Sequence, residues 1–499
     1  MSLRKGMRLL LLLALGRLIL HCATNGQYGF HRDELATLDD ARHLAWGFVA
    51  YPPVTPFFGR VSLELFGPSL IGARFFPALA QSIAMVITGL IARDLGGGRW
   101  AQAVAALAAA VSPMALCAGN LLQYVTFDYL WWVLAAWLMV RLLTSGDPRW
   151  WVAIGAVLGL GMMTKYTMIF LIIGIAAGVL LSPIRSHLRS PWLWGGAGLS
   201  VMLFAPNLLW QIRHDFVSLE FLRHVHERDV AIGRADDFLT LQLYVSASLF
   251  TLPLWLAGLY FYLRSRAGVR FRPLGWMYLI PLVLFLLARG RFYYMAPAYP
   301  MLLAAGSVVA ERWIASLARG AARVVAASLW IGLAAGAVMG GILMLPIAPI
   351  GSAVWNFTSE VHDNFTEQIG WQELTQEVAR IYMALPPAER ESTGILTGNY
   401  GEAGAINMYG PALGLPVAIS GVNSYWERGY GDPPPRTLII VGFSREEVES
   451  GCSGSELVGR NQNSYGVANE ESQDHPDIFL CREPRLSWPE LWKELRGFG

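Results

Sequence analysis

The sequence predicts an all-α polytopic membrane protein that ends in a small α/β domain. Only 15% of the 499 residues are charged, against roughly 25% in a soluble domain. Apolar runs of about 17 to 25 residues recur through the first two thirds of the chain, and each is long enough to cross roughly 30 Å of hydrocarbon. Residues 346–499 are mostly polar. We therefore expect a transmembrane catalytic unit over 1–345 and a separate extracytoplasmic domain over 346–499.

About eleven apolar runs are candidate transmembrane spans. We interpret the first as a retained span, because it lacks a small-x-small cleavage site followed by a polar mature domain. Short basic connections lie on one side of the predicted bundle, and the positive-inside rule places them in the cytoplasm. In a bacterial inner membrane, the N-terminus is then cytoplasmic, and an odd span count places the C-terminal domain in the periplasm. The runs are 7–26, 69–92, 99–117, 127–144, 150–164, 167–182, 192–211, 238–262, 273–289, 294–311 and 324–345.

Composition and cysteine spacing exclude some functional classes. The net charge is +2 and no basic block occurs, which argues against a nucleic-acid partner. No Cys-x-x-Cys, Cys/His zinc spacing or Asp-x-Asp triplet is present, so we expect no metal or other cofactor. Cys452 and Cys481 leave two alternatives open. They form a disulfide if the C-terminal domain lies in an oxidising periplasm, or they are unpaired thiols.

The first outer loop, residues 27–68, carries the most informative acids. Asp33 and Glu34 follow directly after the first apolar run, where carboxylates are costly to dehydrate and are seldom without a function. The loop is also too long for a simple connector. One alternative is that the two acids only cap a helix. The other is that they belong to an active site.

Two amphipathic helices are predicted within this loop. The first runs from Asp33 to Trp46 and would place Asp33, Thr37 and Asp40 on one face. A rigid break at 50–53 follows, which contains two prolines, and a second helix spans 55–66. Both are typical of helices that lie along a membrane surface.

Several outer cations are candidates for binding an anion. Lys165 is isolated among apolar residues, where snorkelling is the alternative explanation. His224 lies in the outer loop 212–237, whose charges are otherwise those of a solvated helix face. Arg289 and Arg291 precede Tyr293 at an outer membrane boundary. They either anchor the interface with the tyrosines or bind an anionic head group.

The sequence pattern of the C-terminal region predicts three strands and the helices between them. The strands are 393–397, 437–442 and 478–482, and an amphipathic helix precedes them at 364–382. A Gly-rich turn at 399–404 joins the first strand to a helix, which is a place suited to anion binding.

Taken together, these segments resemble the GT-C fold glycosyltransferases, and most closely the bacterial branch near the protein mannosyltransferases of family 39 and the aminoarabinose transferases. The likeness covers about residues 10–310 and is most specific in the first 80. It rests on Arg32-Asp33-Glu34-Leu35, residues 41–47, Tyr51-Pro52-Pro53, Leu65-Phe66-Gly67, Gly72-Ala73-Arg74-Phe75 and residues 291–294, with 399–410 and 420–426 resembling the tail of such proteins.

The resemblance implies a sugar donor held on a polyprenyl phosphate, with Asp33 as the catalytic base. Because neighbouring residues on a helix point about 100° apart, we expect Glu34 to bind or orient the substrate rather than act as the base. Tyr51 is a further candidate for substrate binding. Some relatives carry basic residues where this chain has Ala36 and the tyrosine before the loop proline. Other cations must then hold the phosphate, and Lys165 is one candidate. The remaining candidates for donor binding are His224, Arg289, Arg291 and Tyr293.

The function expected from this resemblance is inverting transfer of a sugar to an acceptor hydroxyl on the outer face of the membrane. The acceptor would be lipid A, a surface glycan or a protein, and the membrane lipid itself is a partner. Two alternatives are a lipid or sugar transporter, which often has internal repeats, and a diphosphate-linked oligosaccharide transferase, which metal dependence would favour. No internal repeat is found in the sequence.

Overall fold

The computed structural model describes residues 2–499, with side chains from residue 5 onward. Its first part is helical throughout. The helices, numbered α1 to α17, are Ser2–Thr24, Arg32–Arg42, Val54–Phe66, Leu70–Ala73, Phe75–Asp94, Arg99–Ala110, Pro113–Cys117, Tyr124–Ser145, Trp150–Met162, Met168–Leu180, Pro191–Arg213, Val217–Ala231, Phe238–Leu241, Leu252–Leu263, Arg272–Leu287, Tyr299–Ser316 and Arg319–Met344.

Six helices are long and apolar enough to cross a membrane, by length and composition. The number rises to as many as eight if each of two sharply bent helix pairs is one span. A polytopic helical membrane protein is thus confirmed, whereas the count of eleven spans stays a prediction. Each predicted run does coincide with a helix or a helix pair.

The main departures from the predicted spans are breaks. The run 99–117 is divided at residues 111–112, just before Pro113, whose ring cannot continue a helix. The run 238–262 bends by 82° between Ala247 and Leu249. The segment after α10 turns by 104° into a short 3₁₀ helix, Pro183–Arg189. Hydropathy reports burial in lipid and carries no signal for such bends.

Glycines bring the helix pairs α9/α11 and α14/α16 into close contact. A Cβ on Gly155 would lie 1.9 Å from the carbonyl oxygen of Gly196, so the two backbones touch there. Gly306 meets the carbonyl oxygen of Leu254 in the same way, at 1.8 Å. Such small residues let membrane helices pack without a hydrophobic driving force between them.

The two predicted loop helices are present as α2 and α3. Helix α2 ends at Arg42, four residues before the predicted Trp46, and α3 begins after Pro53. Its end at Gly67 has a φ of 67°, a left-handed conformation that glycine adopts freely. Leu35 and Leu38 of α2 are fully buried.

The C-terminal part is an α/β unit, as predicted. Its helices α18 to α24 are Ala353–Val361, Trp371–Ala384, Pro387–Arg390, Tyr400–Tyr409, Arg445–Gly451, Glu470–Asp474 and Trp488–Glu494. Its strands β1 to β5 are Thr393–Thr397, Ala418–Ser420, Thr437–Val441, Ser455–Arg460 and Asp477–Cys481.

The five strands form one mixed sheet in the order β2-β1-β3-β5-β4. Strand β1 runs parallel to β2 and β3, while β5 is antiparallel to β3 and β4. The sequence predicted β1, β3 and β5 but missed β2, which has three residues, and β4, which is largely exposed. Both lie at the sheet edges and therefore lack a buried apolar run.

A single hydrophobic core joins the C-terminal unit to the first outer loop. Leu35 and Leu38 of α2 belong to the same buried cluster as Trp371 and Ile406 of the C-terminal unit. The division at residue 345 remains a prediction, because this core crosses it. Of the two alternatives for Cys452 and Cys481, the structure has the disulfide, which ties the end of α22 to β5.

Candidate active site

A cleft of about 1200 Å³, counting the part open to solvent, lies between the outer loops and the C-terminal unit. One wall is the polar face of α2, and a second wall carries cations from α12, from the segment after it and from the segment after α15. The predicted residues that line it are Asp33, Tyr51, Lys165 and Arg291. Thr37 and Asp40 line it as well, so the predicted polar face of α2 is confirmed.

Asp33 lies in this cleft with its carboxylate held at both oxygens. Gln123 Nε2 donates to Oδ2 at 2.8 Å, and the Tyr400 hydroxyl donates to Oδ1 at 2.9 Å. About 40% of the Asp33 side chain remains accessible. Burial alone would raise the pKa of this carboxyl, but nearby His31 and Arg32 and the bond from Tyr400 outweigh it and lower the pKa below its usual value. Asp33 is therefore ionised at neutral pH and can accept a proton.

Glu34 points away from the cleft, which corrects its expected place beside the substrate. Its carboxylate is fully buried and paired with Arg74, whose Nη2 and Nε donate at 2.6 and 2.9 Å. The backbone N–H groups of His31 and Leu122 each donate to it at 2.9 Å. Adjacent residues on a helix point about 100° apart, so one acid faces the cleft while the other faces the core.

Lys165 sits in the cleft inside a cage of aromatic rings. Its Nζ lies 3.7 Å from the ring centre of Tyr294, 5.2 Å from that of Tyr124 and 5.4 Å from that of Tyr293. The side chain is only 7% exposed, and across residues 2–499 the Nζ has no hydrogen-bond partner. A snorkelling lysine would place its ammonium in water. This one is instead aimed into the cleft without a partner.

Three arginines contact Asp229, which lies near Lys165. It accepts two hydrogen bonds from Arg291, at 2.5 and 3.0 Å. Arg234 Nη1 lies 3.6 Å from it and Arg228 Nε 4.0 Å. One carboxylate among three guanidinium groups leaves this wall with a net positive charge.

Two of the predicted cations are not brought to the cleft. Arg289 is half exposed and pairs with Asp236 at 3.0 Å. His224 is exposed on α12 and packs against the ring of Phe498. His224 was chosen from a loop rich in charge and Arg289 from the outer end of a predicted span. Sequence spacing could not tell them from Arg291, Arg228 and Arg234.

Tyr293 stands next to these cations and does not line the cleft itself. Its hydroxyl accepts a hydrogen bond from Arg291 Nη1 at 3.2 Å, and its ring forms part of the cage around Lys165. The structure thus brings Tyr293 together with the cations named beside it, in a supporting position.

The far end of the cleft holds a second acidic group. Tyr51 donates to Asp40 Oδ2 at 2.6 Å, and Arg428 of the C-terminal unit bridges Asp39 and Asp40. Burial raises the pKa of Asp40 to about 7, although Arg428 opposes the shift. With only 6% of its side chain exposed and an ion pair to Arg428, Asp40 is less accessible as a base than Asp33, whose side chain is about 40% exposed.

The Gly-rich turn before α21 is closed to an anion. The Asn399 side chain accepts from the Gly401 N–H, and the Glu402 carboxylate accepts from the Asn399 N–H. The chain's own side chains therefore already cap this helix end. As for metals, residues 2–499 contain no group of three or more His, Cys, Asp or Glu placed to hold one. The expected absence of a cofactor stays a prediction.

Comparisons with known proteins bear on this geometry. Residues 50–210 match the family model described as dolichyl-phosphate-mannose-protein mannosyltransferase. The undecaprenyl phosphate-alpha-4-amino-4-deoxy-L-arabinose arabinosyl transferase 1 of Pseudomonas fluorescens is 30% identical over 300 residues, which are 57% of this chain and 53% of the relative. The chain thus spans about half the length of the curated relative it matches.

Solved structures match over nearly the whole chain. ArnT from Cupriavidus metallidurans bound to undecaprenyl phosphate has a TM-score of 0.60 at 16% identity, covering 95% of this chain and 97% of that one. The arabinofuranosyltransferase AftD from Mycobacteria has a TM-score of 0.55 at 17% identity, over 96% of this chain and 40% of that one. The fold is that of the GT-C glycosyltransferases. The resemblance seen in the sequence is therefore confirmed.

Proposed function

We propose that this protein is an inverting glycosyltransferase that moves a sugar from a polyprenyl-phosphate donor to an acceptor hydroxyl on the outer face of a bacterial inner membrane. The observation that carries the proposal is the pairing within one cleft of the ionised Asp33 with the cationic wall of Lys165 and Arg291. The matched family model and the arabinosyl transferase relative support the same reaction class.

The reaction needs a base on one side of the sugar and positive charge on the other. The acceptor hydroxyl gives its proton to Asp33 as its oxygen forms a bond to the anomeric carbon. The bond from that carbon to the phosphate oxygen breaks, and the electron pair leaves with polyprenyl phosphate. Phosphate is a good leaving group, so no general acid is required. Lys165, Arg291 and their arginine neighbours stabilise the departing charge.

The position of the acids supports inversion at the sugar. A retaining mechanism uses two carboxyl groups about 5–5.5 Å apart. Asp33 and Asp40 are separated by seven residues of α2, which is about 10 Å along a helix. Asp40 is also engaged by Tyr51 and Arg428. One accessible carboxylate and one displacement give inversion.

The C-terminal unit belongs on the periplasmic side in this proposal, with the N-terminus in the cytoplasm. The disulfide between Cys452 and Cys481 supports this placement, because such bonds persist in oxidising compartments. The acceptor follows only as a class, a hydroxyl of lipid A, a surface glycan or a protein. The transporter alternative provides no reason for a base in the same cleft as the cationic wall.

The test is release of polyprenyl phosphate by purified protein. A panel of undecaprenyl-phosphate sugars is incubated with acceptor extracts, and free undecaprenyl phosphate and the anomeric configuration of the product are measured. We expect release with one donor and an inverted product. Retention of configuration would rule out the single displacement. Movement of the intact donor across a vesicle without release would support a transporter. Activity lost with EDTA and restored by a divalent metal would favour the diphosphate-linked alternative.

A further inference from the structure

The carboxylate of Asp33 is bonded by two separate parts of the chain. Gln123, one residue before α8, bonds one oxygen, and Tyr400 at the start of α21 bonds the other, 367 positions along the sequence. The second bond comes from the α/β unit at the other end of the chain. A carboxylate held at both oxygens cannot rotate freely, so its remaining lone pairs keep a fixed direction.

Two glycines let α21, the helix that carries Tyr400, pack directly against the backbone of α2. A Cβ on Gly404 would lie 2.7 Å from the backbone carbon of Leu35 and 2.9 Å from the nitrogen of Ala36. A Cβ on Gly401 would meet the Cβ of Arg32 at 2.8 Å. These glycines lie three apart on one helix face. Contacts with backbone cannot yield as flexible side chains do, so the spacing between the two helices is fixed.

We propose that Tyr400 is a positioning residue for the base, and that α21 docks on α2 through Gly401 and Gly404 in order to hold it there. The C-terminal unit thereby completes the catalytic site. This inference rests on the proposed function, because it assigns Asp33 the role of base.

The electrostatic surroundings fit this role. Burial and the neighbouring Asp33 raise the pKa of Tyr400 well above its usual value, so its hydroxyl remains a neutral donor. Asp33 also faces His31 and Arg32 from its own segment, Tyr124 from α8 and Arg291 from the second wall. Burial lowers the pKa of His31 below its usual value, although the neighbouring Asp33 opposes the shift. Tyr400 is thus a short-range donor that adds no charge to the cleft.

The experiment compares Tyr400→Phe with wild type in the full-length protein, using the pH dependence of kcat/KM. Loss of a hydrogen bond to a carboxylate favours its protonated form. We expect kcat/KM to fall about 10-fold, mainly through kcat, and the acid limb to move up by about one pH unit. Tyr382→Phe is the matched control, because its hydroxyl bonds the Arg390 carbonyl within the same unit. It should leave both quantities unchanged.

Gly404→Ala is the second variant, and Gly451→Ala is its control, because a Cβ there meets nothing within 4 Å. If α21 acts through Tyr400, Gly404→Ala shifts the acid limb in the same direction. The double variant with Tyr400→Phe then adds little, since both remove one interaction.

The outcomes separate this inference from the proposed function. An unmoved acid limb in Tyr400→Phe, with Asp33→Asn inactive, overturns the positioning role and leaves the glycosyltransferase proposal standing. Fully additive losses in the double variant overturn the role of Gly404. Near-normal transfer by Asp33→Asn overturns the proposed base itself. If Tyr400→Phe folds poorly, the acid limb of Gly404→Ala is measured instead. A shifted acid limb supports the positioning role of Tyr400, and an unshifted one rejects it.

Discussion

Replacing Glu34 by Ala should destabilise the fold without acting on the substrate. The carboxylate is fully buried and accepts hydrogen bonds from Arg74, from His31 N and from Leu122 N, at 2.6 to 2.9 Å for the closest contact of each. Its removal leaves the guanidinium of Arg74, also fully buried, without its counter-charge. Breaking one side of a buried ion pair costs about 3–5 kcal/mol. The carbonyls of Asn25 and Gly29 still accept from Arg74 and favour the lower half of that range.

The assay is the unfolding midpoint of the detergent-solubilised protein, measured beside donor KM. Glu34→Gln keeps the side-chain shape and loses the charge, so it should be less destabilising than Glu34→Ala. The double variant Glu34→Met, Arg74→Met should recover part of the loss, because no unpaired charge stays buried. A Glu34→Ala protein with a wild-type midpoint and a raised donor KM would refute this reasoning. It would support the substrate-binding role expected from the sequence.

Three further predictions follow from the structure. Lys165→Met should lower kcat/KM for the donor by about 100-fold through loss of a cation at the phosphate. Its control is Lys493→Met, at an exposed position on α24, which should leave kcat/KM unchanged. Equal kcat/KM values for the two variants would exclude Lys165 from the site. Burial raises the pKa of Glu402 to about 8, so its protonated form contributes stability below about pH 4.5 that is lost as the pH rises through about 8. Glu402→Gln should therefore unfold at a higher temperature than wild type near pH 9 and show a smaller fall in midpoint with pH, and parallel midpoint curves would contradict this. Cys481→Ser removes a disulfide between residues 29 positions apart and should lower the free energy of unfolding by about 3–4 kcal/mol. Its unfolding midpoint should fall to that of the wild-type protein measured with reductant. Equal midpoints for variant and wild type under oxidising conditions would argue against the disulfide.

The parts of the fold that follow from local pattern were predictable. Hydropathy located apolar runs that coincide with helices or helix pairs, and the alternation of acids and apolar residues located α2 with Asp33 toward the cleft. The breaks near Pro113 and Ser248 were not predicted, because a bent apolar segment has the same hydropathy as a straight one. Edge strand β4 was missed because it is largely exposed.

Among the site residues, too, those that depend on long-range contacts could not be predicted from the sequence. Arg289 and Arg291 differ by two positions, and only their partners, Asp236 and Asp229, decide which one faces the cleft. Arg228 lies in the charged outer loop, and nothing in the neighbouring sequence distinguishes it as a residue that faces the cleft. Tyr400 meets Asp33 across 367 positions, and such contacts depend on how the C-terminal unit docks. Sequence pattern selected Asp33, the proposed base, but not the residues that hold its carboxylate.

The most direct test is transfer by Asp33→Asn protein that folds as wild type does. Asparagine keeps the shape and removes the proton-accepting charge, so polyprenyl phosphate release should fall by about 10² to 10⁴-fold. Asp236→Asn is the matched control, an exposed acid of the outer side that pairs with Arg289, and it should retain full activity. Near-normal release by Asp33→Asn, with an unchanged unfolding midpoint, would contradict the assignment of Asp33 as the base.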